Sequence, residues 1–288
     1  MKIVKGPASK ELAEKIARFT SAEAVDVADR FFPDGESYVR ILGRLDQEDV
    51  ILVQGLHPPQ DTNLLRLLLL AEAAKGLGAK KVKAVVPYFA YARQDKRFLE
   101  GEPVSVHVLL DCLKAVGIDE VLTVNIHSPW VARESPVKLT NIDCSGLLAS
   151  YVIQAGIEKP FVVSPGKKGS EMAEAVASVL ESDYGVVKTS RNPETGEVTV
   201  SAENVPFDRE FVVVDDVIST GTTIVKAIQL LKQFRPSKII VVAVHGLFVQ
   251  SAAEKILAAG ANVVMTTDTV PNPFAYASVA GLIASHLG

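Results

Sequence analysis

The chain has 288 residues, a formal net charge of −4 and a 48% share of hydrophobic residues. That length makes one large domain or two of ordinary size, with ample apolar material for a core. The mild charge, with no basic run in either half, excludes the electrostatic footprint of a nucleic-acid binder, and two cysteines, Cys112 and Cys144, exclude a disulfide framework or a zinc site.

The opening MKIVKGPASKELAEKIA reads as a short strand, a turn and an amphipathic helix, without the apolar core of a signal peptide. The most apolar run, Leu64 to Ala74, is interrupted by Arg66 and Glu72 and is too short to span a bilayer. A soluble protein of a reducing cytoplasm, with no membrane partner, is expected. Along the rest of the chain β-branched runs alternate with helical patterns. Strands are predicted at 2–4, 49–53, 83–86, 120–124, 161–164, 185–188, 210–214, 239–244 and 262–266, and helices at 9–19, 63–76, 104–116, 171–180, 223–234 and 250–259. This is the pattern of parallel sheets flanked by helices, in two successive sets divided near 144–151. In such sheets ligands gather at the carboxyl ends of strands, so chemistry is sought there.

Six segments stand out. FFPDGESYVRI (31–41) places Pro33, Asp34 and Gly35 as a turn between two extended pieces. VPYFAYARQDKRFLEGEP (86–103) ends a strand and then becomes dense in charge, with Arg93, Asp95, Lys96 and Arg97 able to surround a polyphosphate. TVNIHSPW (123–130) presents His127 after a strand, and VVSPGKKGSEMA (162–173) does the same for two lysines. DYGVVKTSRNPETGEVTV (183–200) has Lys188 at a strand end and Arg191 three residues on. Finally, VVVDDVISTGTTIVKA (212–227) runs a buried strand into Asp215 and Asp216, then into Ser219, Thr220, Gly221, Thr222 and Thr223 at a helix start. Backbone N–H groups and small hydroxyls in that position cradle a phosphate, and the paired carboxylates suit vicinal sugar hydroxyls or a magnesium ion. A helix N-cap needs only one such residue.

The last segment resembles the phosphoribosyl diphosphate motif shared by phosphoribosyltransferases and ribose-phosphate diphosphokinases (PRPP synthetases). The wordings FPDGE and YARQDKRF…GEP, together with VVAVHGLFVQ and VVMTTDTVPNPF near the end, are similar to PRPP synthetases alone. The resemblance implies two consecutive phosphoribosyltransferase-like domains, 1–145 serving ATP and 146–288 serving ribose 5-phosphate. It implies that Phe32 stacks on adenine while Asp34 and Glu36 meet its polar edge, with Gly35 in the same ATP-binding turn, in a loop lent by a neighbouring subunit. A homo-oligomer with a shared ATP site follows from that. By the same resemblance Arg93, Gln94 and Asp95 contact the nucleotide, residues 96–102 form a lid, and His127 reaches Mg2+ on ATP. Lys188 and Arg191 are catalytic, Asp215 and Asp216 face the ribose, and Ser219 to Thr223 hold its 5-phosphate. The implied reaction moves the diphosphoryl group of ATP to the 1-hydroxyl of ribose 5-phosphate, giving PRPP and AMP.

The chain departs from the family pattern in three places. Asn125 and Gly166 stand where an Asp is usual, and Ser190 lengthens the gap between Lys188 and Arg191 by one residue. The lost acids keep a catalytically impaired, regulatory relative as an alternative, and the shared phosphate motif keeps a phosphoribosyltransferase as another.

Overall fold

The computed structural model describes residues 1–191, 198–202 and 205–287, with the backbone alone described at 188–191 and 198–202. The chain forms two compact units. One holds Met1–Asp143, Thr269–Pro271 and the segment from Ser278; the other holds Cys144–Asp268 and Asn272–Ala277. Among the described residues no helix is long and apolar enough to cross a membrane.

The first unit runs β1 (Lys2–Lys5), α1 (Lys10–Thr20), β2 (Glu23–Val25), β3 (Val27–Phe31), β4 (Ser37–Ile41), β5 (Asp49–Val53), α2 (Gln60–Gly76), β6 (Lys81–Val86), α3 (Ser105–Ala115), β7 (Glu120–Val124), α4 (Val131–Glu134) and β8 (Lys138–Ile142). Six strands form a parallel sheet in the order β2-β1-β5-β6-β7-β8. Val50 to Val53 are all buried, as an unbroken apolar run must be when helices cover both faces of a strand. β3 and β4 stand apart as an antiparallel hairpin with Phe31 opposite Ser37. Phe32 N–H donates to the Glu36 carbonyl at 2.8 Å, and Gly35 takes the left-handed φ of 95° that the reversal requires.

The second unit runs α5 (Ser145–Gln154), β9 (Phe161–Ser164), α6 (Ser170–Val179), β10 (Tyr184–Arg191), β11 (Val198–Ala202), β12 (Glu210–Ile218), α7 (Thr222–Leu231), β13 (Lys238–Gly246), α8 (Ala252–Ala259), β14 (Val263–Thr267) and β15 (Ala275–Ala277). Its sheet has the order β11-β10-β9-β12-β13-β14-β15 and is parallel except where β11 pairs with β10. Phe161 and Phe211, edge to face at 6.0 Å, sit in a core built from β12, β13 and the inner faces of α7 and α8.

Two features differ from the sequence expectation. β12 does not stop at Val214 but continues to Ile218, because β13 is equally long and pairs Val217 with His245 and Ile218 with Gly246. The division expected at residue 145 leaves the C-terminal tail in the second unit, whereas the tail from Ser278 joins the first. There α9 (Ala280–Ala284) packs on α1, burying Ala280 and Ile283, with Gly281 beside the ring of Phe19.

Candidate active site

In the second unit the carboxyl end of β12 carries Asp215 and Asp216, both half-buried. Their carboxylates are braced locally: Asp216 N–H donates to Asp215 Oδ1 at 3.0 Å, and Val217 N–H donates to Asp216 Oδ1 at 2.9 Å. Each acid is therefore oriented by the next peptide group, which also disperses part of its charge. The acids lie within the strand and not in the bend after it.

The bend Ser219–Thr220–Gly221 then delivers the chain to α7. Gly221 occupies the N-cap at φ 72°, and no side chain caps the helix. This removes the N-cap explanation for the cluster of hydroxyl residues and leaves the first-turn N–H groups without a side-chain partner, as an anion site requires. Thr222 and Thr223 are exposed on that turn, and the hydroxyls of Thr220 and Thr222 are 3.1 Å apart. A Cβ at Gly221 would stand 3.1 Å from Ile256 Cδ1 and 3.3 Å from Ala252 Cβ, so close packing of α8 as well as backbone conformation demands glycine there.

Beside this strand, β9 ends at Ser164 and is followed by Pro165 and Gly166. Ser164 Oγ donates to the Gly166 carbonyl at 2.6 Å, and a single 3-10 turn, Lys167–Gly169, follows. A Cβ on Gly169 would lie 3.9 Å from the Val214 carbonyl, one residue before Asp215. Lys167 and Lys168 are exposed. The backbone of Lys188 and Arg191 lies in β10, opposite Ser201 and Val198 of β11; both side chains fall outside the described residues.

In the first unit Phe32, Asp34, Gly35 and Glu36 form the tip of the β3–β4 hairpin. Asp34 Oδ1 accepts the Glu36 N–H at 3.2 Å. Phe32 meets Tyr38 edge to face at 5.7 Å, and the guanidinium of Arg30 lies 5.2 Å from the Phe32 ring centre and 4.8 Å from that of Tyr38. The aromatic expected to stack on a base thus already carries a planar cation.

After β6, Asp95 and His127 come from separate loops that the structure joins. Asp95 Oδ2 accepts from Ser128 Oγ at 2.7 Å and from Trp130 Nε1 at 3.0 Å, fixing the charged segment to the loop that bears His127. Tyr91, at φ 64°, donates its hydroxyl to Asp61 at the start of α2. Arg93 is exposed, and Gln94 donates its side-chain amide to Glu102 Oε2 at 3.0 Å and to the Lys96 carbonyl at 3.2 Å. Asn125 Nδ2 donates to Asp143 Oδ1 at 3.1 Å. Asp143 belongs to this region although no motif points to it, and Glu102 stands in the GEP that closes the charged segment. Asp143 follows β8, a strand whose sequence KLTNI has no apolar run to announce it.

Among the described residues no three His, Cys, Asp or Glu converge into a metal cage. Of the sequence-predicted residues, Asp215 and Asp216 offer the oxygen donors that a magnesium ion keeping most of its waters accepts.

The family model described as the N-terminal domain of ribose phosphate pyrophosphokinase matches residues 1–117, and that of the phosphoribosyl transferase domain matches residues 138–276. A ribose-phosphate pyrophosphokinase of Methanobrevibacter smithii is 36% identical over 99% of both chains. The chain belongs to the ribose-phosphate pyrophosphokinase family. A family member from Methanothermobacter thermautotrophicus is 38% identical over 96% of both chains. The phosphoribosylpyrophosphate synthetase of Mycobacterium smegmatis shares the fold at a TM-score of 0.89 and 27% identity, covering 99% of this chain and 96% of that one. Ribose-phosphate pyrophosphokinases therefore account for both units, including the hairpin and the 93–102 segment that a phosphoribosyl transferase domain by itself leaves unexplained.

Proposed function

We propose that the protein transfers the diphosphoryl group of ATP to ribose 5-phosphate. The 1-hydroxyl oxygen attacks the β-phosphorus, the bond from that phosphorus to the α,β-bridging oxygen breaks, the hydroxyl proton is lost, and PRPP and AMP leave. The observation that carries this reading is the end of β12. Two braced carboxylates lead directly into an uncapped, glycine-started helix N-terminus, in a chain that matches ribose-phosphate pyrophosphokinases along its whole length.

In this reading Ser219 to Thr223 bind the 5-phosphate through N–H groups and hydroxyls, while Asp215 and Asp216 orient the ribose hydroxyls. Phe32 offers its ring to the adenine, and Asp34 and Glu36 read the polar edge. Arg93, with Gln94 and Asp95 in the same segment, holds the nucleotide; Lys188 and Arg191 stabilise charge on the group in flight. Such a transfer is chiefly positioning and charge neutralisation. Magnesium bound with ATP would be held by His127 and would neutralise phosphate charge; the acids of β12 would meet the ribose directly or through such an ion. Removing one transition-state contact costs about 2.7–4 kcal/mol.

A homo-oligomer in the cytoplasm completes the reading. The central stretch of α2, 64–70, is apolar but for Arg66: Leu67 and Leu70 are buried, yet Leu65 is 47% exposed and Leu64, Leu68 and Leu69 are only half-buried. Leucines left partly open in such a run mark an interaction face, and a second copy would cover it.

The test is AMP and PRPP formation from ATP and ribose 5-phosphate with magnesium titrated, alongside sedimentation. Turnover that requires magnesium in an oligomer is expected. Nucleotide binding without AMP release would instead mark a regulatory relative impaired by the loss of acids at 125 and 166, and activity in a monomer would sink the shared ATP site.

A further inference from the structure

The segment from Gln94 to Glu102 has little apolar packing to hold it. Phe98 and Leu99 are 52% and 70% exposed, and Lys96, Arg97 and Glu100 face solvent. Its order instead converges on one atom. Glu102 Oε2 accepts the N–H of Phe98 at 2.8 Å, the N–H of Leu99 at 3.0 Å and the side-chain amide of Gln94 at 3.0 Å. The Gln94 amide also reaches the Lys96 carbonyl, and Glu102 N–H donates back to the Leu99 carbonyl at 3.3 Å. The two ends of the loop are thus closed on each other by a carboxylate. Asp95 meanwhile anchors the near end to Ser128 and Trp130, beside His127.

We propose that Glu102 is a positioning residue for the diphosphoryl transfer: its carboxylate latches the Lys96–Arg97 segment into a closed turn bound to Gln94. The proposal rests on the ATP-dependent reading above. The charge of an ionised carboxylate lets one oxygen draw in two backbone N–H groups and an amide together more strongly than a neutral acceptor can. A glutamine offers a weaker neutral acceptor, aspartate is one methylene short, and alanine offers none. Two cations, Lys96 and Arg97, ordered before the nucleotide arrives spare the nucleotide the entropy of ordering them. Glu102 touches no reacting atom in this scheme; it acts through Gln94, Lys96 and Arg97.

The test uses the full chain and its Glu102→Ala, Glu102→Gln and Glu102→Asp variants, each first confirmed by its melting temperature to be folded. Hydrogen exchange at the Phe98 and Leu99 amides of the substrate-free protein is expected to quicken about tenfold in Glu102→Ala, as for loss of one charge-assisted hydrogen bond. KM for ATP should rise about tenfold while KM for ribose 5-phosphate stays put, with Glu102→Gln falling between alanine and wild type. Exchange at the wild-type rate in a folded alanine variant overturns the latch. Faster exchange with every kinetic constant unchanged overturns the positioning role. A wild-type protein that releases no AMP overturns the parent reading instead, and the assay shows this before any variant is compared.

Discussion

Asn125 donates its side-chain amide to the carboxylate of Asp143 at 3.1 Å, across the adjacent carboxyl ends of β7 and β8. Asn125 sits at φ 37°, a conformation that Asn and Asp accept better than other residues with a Cβ. Asn125→Asp therefore keeps the backbone and replaces a donor facing an acceptor with two facing acceptors. Two carboxylates so close disfavour each other's ionised form. We expect the variant to melt about 2–4 °C lower without magnesium, equivalent to about 1 kcal/mol, and to recover when magnesium is added. Melts with and without the ion measure this, and identical curves for variant and wild type would remove the electrostatic account of the pair.

Gly166 holds the position of the other missing acid. Its φ of −167° is ordinary extended backbone, and a Cβ there meets nothing within 4 Å. Gly166→Asp should accordingly cost no more than about 0.5 kcal/mol of stability, as surface substitutions do. The new carboxylate stands on the turn beside the end of β12, so the magnesium concentration at half-maximal turnover should fall. A marked loss of stability would contradict the open space seen at the site; an unchanged magnesium response would show that the lost acid has no part in metal binding here.

The sequence announces the sheets where burial is uniform. Val50 to Val53 and Ile239 to Val244 are apolar without alternation because both faces of their strands are covered. The phosphate bend is equally legible, since Gly221 and the hydroxyls around it are local chemistry. What stays hidden depends on partners distant in sequence. Asp215 and Asp216 look like residues beyond a strand, and only pairing with a long β13 keeps them in one. β8 is half polar, which hides Asp143 at its end. Glu102 lies in a run of charge, and its role exists only once the loop closes on Gln94, eight residues back.

Gly221 answers to two constraints at once, a left-handed φ and the side chains of Ile256 and Ala252 at 3.1–3.3 Å from any Cβ. Gly221→Ala must strain the backbone and push α8 away, at a cost of about 1–3 kcal/mol. Because the same residue starts α7, the N–H groups of the first turn shift as well. The expected result is a lower melting temperature together with a raised KM for ribose 5-phosphate and an unaltered KM for ATP. A stability loss with both KM values intact would separate the bend from phosphate binding.

Glu120 opens β7 at the amino end of the strands, away from their carboxyl ends, 6% exposed and ringed by Lys138 at 2.8 Å, Lys83 at 3.5 Å and Lys81 at 3.6 Å. Burial pushes its carboxyl pKa up, but the Lys138 hydrogen bond and the charges of Lys83 and Lys138 outweigh burial and hold it below the ordinary Glu range. A carboxyl whose folded pKa lies below its unfolded value stabilises the fold fully above the unfolded value. That stabilisation drains away as pH falls through the folded one. Glu120→Gln removes the charge but keeps the shape. At neutral pH it should cost about 1–3 kcal/mol, between an exposed pair and a buried one, since the lysines reach solvent. Once the pH has fallen below the folded-state pKa, itself beneath the ordinary Glu range, the wild-type carboxyl is protonated and the two proteins should converge in stability. Urea melts of both proteins across the acid range decide it. A gap that stays constant with pH would mean that packing at the start of β7, and not the ion cluster, is what the glutamate contributes.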